Sequence, residues 1–447
     1  MVAIRTRLMR TAAITTLTLC ASAVLAQEER AIDNFAGIGV RSMGMGGAFT
    51  GVADDFTAVF WNPAGLAQMQ KREVYVALSR NAIENESRLG GVQAAADLSN
   101  TRFGSLGFVY PYPVQRGAFV VAAGFNRVKD FDWTLRIVGS TDSLSIDDTF
   151  IHEGELTLTT AAVAVDVTPS VSLGLSLSLI QGENERSKEF VSIDTADFFF
   201  ESRFLDRYNF SDEYEPTWTA TLGAMLRVPR REPRLRVGAS VTTGPTHSIS
   251  YVRRAPPDTA FSLIEYDDGR VKSESSVNFK DSYELSLPIS FSLGGSYRLA
   301  PSLMVAASLY ATEWSQTEYF GEDELELRSN TSFEDQYDDV LRYHLGVEWQ
   351  VPIAAVDLRA GYYTDPLSFV GPRDPSKAPD PQANPMIRSL QERTFLTFGA
   401  GAYLEEAVKV DAAFTRGRYE QAEGVDNNEL REKVTVNRVF FGVSYRF

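Results

Sequence analysis

The chain has 447 residues, 44% of them apolar and 11% aromatic, and 43 Lys and Arg set against 59 Asp and Glu leave a net charge of −16. That acidity argues against a nucleic-acid partner, because phosphate neutralisation needs a basic face. The one cysteine, Cys20, lies near the N-terminus, so the chain beyond it is expected to hold together without disulfides.

The first segment reads as an export signal. Arg5, Arg7 and Arg10 precede a short Thr-rich apolar stretch that ends in Val24-Leu25-Ala26, and the expected boundary is 1–26. No later segment approaches the ~20 consecutive apolar residues of a spanning helix. If the chain crosses a bilayer, it does so as a closed barrel, the other solution that bonds every backbone group internally.

Residues 27–72 do not alternate. Glycines such as Gly44, Gly46, Gly47 and Gly51 suit tight turns and close backbone approach. Asp54-Asp55 is placed to cap a short helix over Phe56–Phe60, and Asn62-Pro63 reads as a second helix start. A compact piece of two short helical turns follows, carrying Phe49, Phe56, Phe60, Trp61 and Leu66. A dinucleotide-binding reading fails, because Phe49 stands where the third glycine belongs and no strand precedes it.

From residue 73 the pattern turns to period two. Between Val171 and Leu179 every odd position is Val or Leu and every even one Ser or Gly. Similar runs predict strands at 73–80, 101–111, 116–129, 153–167, 171–183, 214–228, 234–245, 282–298, 302–316, 340–351, 356–364, 393–404, 407–418 and 432–447. That count is fourteen, an even number as a closed bacterial barrel requires. The connections alternate short and long, with PYPVQ, TPS, PRREP, APS, PIAA and EE anchoring the short ones. The last strand sets Val439, Phe441, Val443, Tyr445 and Phe447 on one face. The expected fold is therefore all-β: a fourteen-stranded antiparallel transmembrane β-barrel over 73–447 with an N-terminal plug of short helical turns.

GMGGAFTGVADDFTAVFWNPAGLA, residues 44–67, resembles the N-terminal hatch of the FadL/TodX (OmpP1)-type outer-membrane transporters of hydrophobic compounds, with the hatch motif at Asn62, Pro63, Ala64 and Gly65. The same head also resembles the PorV/PorQ-type barrels, which serve as secretion docking or shuttle components. The first resemblance implies passive uptake of long-chain fatty acids or other hydrophobic molecules by a monomer in the bacterial outer membrane. It also implies a hatch that shifts and a ligand that leaves sideways at a kinked third strand, for which Gly124 is the wall-kink candidate. Packing of Gly124 against the hatch explains the residue equally.

Phe198, Phe199, Phe200 and Phe204 are candidates for ligand capture at an external loop. A small core against the neighbouring loop 246–281 is the competing reading. Arg342, His344 and Arg359 fall on the lumen face and are candidates for a cargo carboxylate. Ion pairs such as Arg342–Glu348 or Asp357–Arg359 are the plainer account. His152, His247 and His344 are the three histidines, and none has metal-ligand spacing. No Ser–His pattern marks a hydrolase, so neither cofactor, metal nor catalytic residue is expected.

Overall fold

The structure is a computed structural model that describes residues 35, 37–140, 143–228, 234–254, 262–274, 279–321, 333–370, 387–404, 407–423 and 429–447. The expected export signal lies outside the described residues. The head of the chain forms two short α-helices, α1 Val40–Gly44 and α2 Ala58–Trp61, and a 3-10 helix Pro63–Gln68. Twenty strand segments follow: β1 Glu73–Leu89, β2 Val92–Tyr112, β3 Phe119–Asp130, β4 Trp133–Ser140, β5 Leu144–Asp166, β6 Val171–Asp194, β7 Glu201–Val228, β8 Leu235–Thr242, β9 Thr246–Arg254 and β10 Ser262–Tyr266. The remainder are β11 Val271–Glu274, β12 Phe279–Ser286, β13 Ser290–Ala300, β14 Leu303–Thr312, β15 Glu318–Phe320, β16 Val340–Gln350, β17 Val356–Thr364, β18 Ile387–Leu404, β19 Val408–Glu423 and β20 Leu430–Arg446.

Fourteen of these segments close a ring in the order β1, β2, β3, β5, β6, β7, β8, β13, β14, β16, β17, β18, β19, β20, every neighbour antiparallel. The closing seam pairs β1 with β20 from Glu73↔Arg446 to Leu89↔Leu430. Closure bonds each ring strand to a neighbour on both sides, which is what a β-structure needs to cross a membrane. Among the described residues no helix is long and apolar enough to do so.

The burial pattern is inverted relative to a water-soluble sheet. On β6, Leu173 and Leu177 are 46% and 48% exposed while Ser172 and Ser176 are fully buried. On β20, Val439, Phe441 and Tyr445 face out while Arg438 and Ser444 face in. Apolar side chains therefore cover the outer wall and polar ones line the lumen, the arrangement lipid demands.

Each of the fourteen predicted strands overlaps a ring member, but expected loops and strand ends are corrected. Residues 81–100, 130–152 and 184–213, expected as long loops, are strand for most of their described length. β1 and β2 join through Gly90-Gly91 at φ 55° and 90°, a two-residue hairpin turn that favours glycine. β6 and β7 run as one ribbon out to Asp194 and Glu201. Outside the bilayer both faces of a ribbon meet water or polar lumen, so the apolar alternation that marks a strand disappears. The predicted strand 234–245 instead ends at Thr242, and 282–298 breaks at residues 287–289. Pro245, just before β9, and Pro288, between β12 and β13, lack the N–H that a ladder requires.

Candidate functional site

The plug fills the lumen at the short-turn end, and its local folding follows from its capping residues. The helix expected over Phe56–Phe60 runs from Ala58 to Trp61, with Thr57 at its N-cap and no side-chain cap bond. Asp55 accepts instead from the Thr57 N–H at 2.9 Å, ahead of the helix. Asn62 Oδ1 accepts from Ala64 N at 3.2 Å, and Pro63 occupies the first position of the 3-10 helix. The Asn62 amide also donates to the carbonyls of Thr50 and Ala224, both at 3.0 Å, tying plug to plug and plug to β7. A Cβ on Gly65 would stand 2.0 Å from the Ala53 carbonyl, so that turn closes only over glycine. Phe49, Phe56, Trp61 and Leu66 are fully buried, whereas Phe60 is half-buried.

Two features of the wall grip this piece. A belt of inward glycines lets the plug backbone lie directly on the sheet. Cβ atoms built on Gly174, Gly223, Gly238, Gly346 and Gly361 would each fall within 2.4 Å of a plug atom or of the Thr50 carbonyl. Above and between them, Ser176, Ser240, Ser296, Tyr310, His344 and Thr397 each meet a plug carbonyl at 2.6–3.2 Å. His344 reaches Gly46 O through Nδ1, which must carry the hydrogen because a carbonyl only accepts.

Beneath the plug lies a charged lattice. Arg41 donates to both oxygens of Glu348, at 2.7 and 2.8 Å, and also pairs with Asp54. Arg359 meets Glu348, Asp411 and Asp357 at 2.7, 2.6 and 3.2 Å, and Lys409 meets Asp357 at 2.6 Å. Arg41, Asp54, Glu348, Asp357, Lys409 and Asp411 border a polar cavity of about 140 Å³ that also touches Glu73, Arg298 and Arg446. Burial opposes the charged form of Asp54, yet Arg41 and Arg236 outweigh it and hold its carboxyl well below the usual range. Asp55 goes the other way, because burial dominates over its more distant Arg41.

The three lumen candidates are placed by this framework. Arg359 is fully buried among three carboxylates, including the expected Asp357. Arg342 pairs with Asp365 at 2.7 Å and not with Glu348, which belongs to Arg41 and Arg359. His344 stacks on Tyr363 at 5.2 Å, and Tyr363 stacks on Phe395 at 4.6 Å, so its ring is part of the plug's seat. The structure thus turns all three candidates toward internal partners.

Gly124 packs on the plug: its added Cβ would lie 2.4 Å from the Phe56 ring. The ladder is regular there, pairing Gly124 with Gly107 and Thr160. The third barrel strand is interrupted at Phe131-Asp132 instead, between β3 and β4. Pairing of β2 with β3 ends at Ser105↔Asn126, while β4 continues along β5. Asn85 donates to the Thr134 carbonyl at 2.8 Å and Ser87 donates to that of Arg136, both from the inner face of β1. The strand has therefore left the wall and run inward, leaving the β2 edge above Ser105 without a ring neighbour. Charged side chains bridge the break: Arg102 meets Asp132 at 2.7 Å and Asp130 at 3.4 Å, and Arg127 meets Asp130 at 3.2 Å. A cavity of about 30 Å³ joins this region to Gly37–Val40 of the plug.

Above the plug the interior holds an apolar cluster beside the buried Arg342–Asp365–Arg393 ion pairs. Phe131, displaced inward with its strand, stacks on Tyr214 at 5.6 Å, and Tyr214 meets the His247 ring at 5.4 Å. Leu156, Ile249, Leu285 and Trp314 belong to the same buried cluster. Burial lowers the His247 pKa to about 4, so the ring is neutral at neutral pH.

The four phenylalanines lie far out on the ribbon. Phe198 and Phe200 are 54% and 49% exposed near its tip; Phe198 packs on Phe199 at 5.0 Å and Phe200 on Tyr266 at 5.5 Å. Phe204 sits lower and packs on Phe190 at 6.0 Å. The ribbon does meet the neighbouring excursion, because β10 pairs with β7 from Ser262↔Asp206 to Tyr266↔Glu201.

Sequence reasoning missed the glycine belt, although a glycine between apolar neighbours recurs in Leu106-Gly107-Phe108, Leu345-Gly346-Val347 and Phe441-Gly442-Val443. It also missed Arg41 and Phe131, for which no local pattern speaks.

A family profile described as outer membrane protein transport protein (OMPP1/FadL/TodX) matches residues 34–447. Among solved structures, the Pseudomonas putida toluene transporter TodX is 13% identical, covers 93% of this chain and 99% of its own, and superposes with a TM-score of 0.59. A Pseudomonas aeruginosa FadL homologue is 15% identical over 92% and 99%, at 0.58. The Ralstonia pickettii toluene transporter TbuX is 13% identical over 93% and 99%, at 0.55. A search of curated proteins finds no match. At these identities the structural likeness speaks for the fold; the family match over nearly the whole chain speaks for kinship. The chain belongs to the OMPP1/FadL/TodX family of outer-membrane transport proteins.

Proposed function

We propose that this protein takes up small hydrophobic molecules, long-chain fatty acids or aromatic hydrocarbons among them, by passive transfer as a monomeric barrel. Cargo enters from the ribbon end, moves through the apolar column above the plug, and leaves sideways at the break between β2 and β3. The observation that carries this reading is the inward departure of the third strand at Phe131-Asp132, which opens the ring above a plug that blocks the axis. The axial route is unsuited to such cargo, because the far side of the plug is a lattice of ion pairs. Burial of an acyl chain is worth about 0.8 kcal/mol per methylene, so an apolar column supplies a strong grip and release needs an exit into lipid. Phe198–Phe200 and Phe204 serve in this reading as the outer landing surface, and the hatch motif Asn62–Gly65 as the anchor of the plug. Similar structures carry the descriptions toluene transporter and monoaromatic hydrocarbon channel, which supports hydrophobic cargo.

The test is the initial uptake of radiolabelled toluene and of radiolabelled oleate by cells with and without the gene. Faster uptake of at least one is expected. Equal rates for both would remove the proposal.

A further inference from the structure

The apolar column holds polar atoms that the fold leaves unused. Asn126, on the inner face of β3, is fully buried, and neither its Oδ1 nor its Nδ2 has a hydrogen-bond partner. It stands at the last β2–β3 pair, Ser105↔Asn126, at the foot of the break. On the same face lies Gly124, whose side takes the plug's Phe56. Trp314 is buried with its Nε1 unpartnered, and His247 is fully buried with both ring nitrogens unpartnered. Trp314 and His247 reach one apolar surface, and Lys129 of the strand that carries Asn126 lies over the Trp314 ring. Trp314 belongs to the buried cluster that includes Phe131 and Tyr214, and His247 meets Tyr214 edge-on. A buried donor or acceptor without a partner costs about 1–3 kcal/mol, so groups like these mark places where something else bonds.

These handles are uncharged, and the local charges are taken. Arg102 and Arg127 face Asp130, Asp132 and Glu155, and with Lys129 beside them the cations equal the acids, three of each. The Lys129 ammonium lies over the Trp314 ring at 5.9 Å. A carboxylate entering here finds the cations already matched by acids and loses its water, whereas a hydroxyl or carbonyl finds an amide, an indole N–H and a neutral imidazole. We infer that the preferred cargo is a neutral hydrophobe with one hydrogen-bonding head group, an alcohol, phenol or ketone, held by Asn126 with Trp314. This narrows the uptake reading above and rests on it.

The test compares three probes of equal chain length, 1-dodecanol, dodecane and dodecanoate, binding to the purified full-length barrel in micelles near neutral pH. Dodecanol is expected to bind at least about tenfold more tightly than dodecanoate. Asn126→Leu should weaken dodecanol about three- to tenfold and leave dodecane unchanged. Trp314→Phe removes the indole donor alone and covers the case in which Asn126→Leu fails to fold, which gel heat-modifiability reports. Tighter binding of dodecanoate, lost in Lys129→Met, would overturn the inference and leave hydrophobe uptake standing. Dodecanol binding unchanged in the folded variants would do the same. Failure of all three probes to bind would overturn both readings.

Discussion

Arg41 of the plug and Glu348 of β16 form a two-pronged ion pair, with Nε to Oε2 at 2.7 Å and Nη2 to Oε1 at 2.8 Å. Glu348 serves Arg359 as well, so one wall carboxylate holds a plug cation and a wall cation together. Removing it strands positive charge in a buried site. Glu348→Gln is expected to cost about 3 kcal/mol in denaturant unfolding of the purified barrel. An unchanged midpoint would show that the lattice does not hold the plug.

The glycine belt makes a steric prediction. A Cβ on Gly223 would lie 2.2 Å from Asn62 Oδ1 and 2.9 Å from Pro63 Cδ, whereas a Cβ on Gly295 meets only the Arg236 carbonyl, at 3.5 Å. Gly223→Val should unseat the plug and raise single-channel conductance while the barrel still migrates as a folded, heat-modifiable band. Gly295→Ala should remain closed. Similar conductance in both would contradict the belt.

Asn62 joins three backbone groups from one side chain. Asn62→Ala loses the cap and leaves the Thr50 and Ala224 carbonyls without their amide donor. A loss of about 2–4 kcal/mol is expected, read as earlier cleavage of the plug in limited proteolysis.

Asp132, between β3 and β4, ties the break to β2. It is buried and meets Arg102 at 2.7 Å. Asp132→Asn weakens that pair and leaves the Arg102 guanidinium with less compensation. A loss of about 3 kcal/mol is expected in thermal unfolding. An unchanged midpoint would exclude this role.

The barrel was legible because lipid imposes alternation: Leu173 and Leu177 out, Ser172 and Ser176 in, is a pattern only a two-residue period produces. Where the ribbons leave the bilayer, as at residues 81–100, that pressure vanishes and the strand signal with it. The Asn62 cap was legible because capping is local. The partners of Arg342, His344 and Arg359 were not, because they depend on which strand lies opposite and how far the plug rises. Arg342 finds Asp365 across β16 and β17, a pairing that register decides and composition does not. The inward turn at Phe131 has no proline or glycine to announce it; contacts from Asn85 and Ser87 on another strand hold it in place.

The central claim is that hydrophobes leave through the side of a ring whose axis stays shut. Proteoliposomes of the purified protein allow transfer of a fluorescent hydrophobe and leakage of potassium to be followed in one preparation. The account predicts accelerated hydrophobe transfer with potassium flux no greater than in protein-free vesicles. Hydrophobe transfer at the protein-free rate, or transfer that appears only together with potassium leakage, would contradict it.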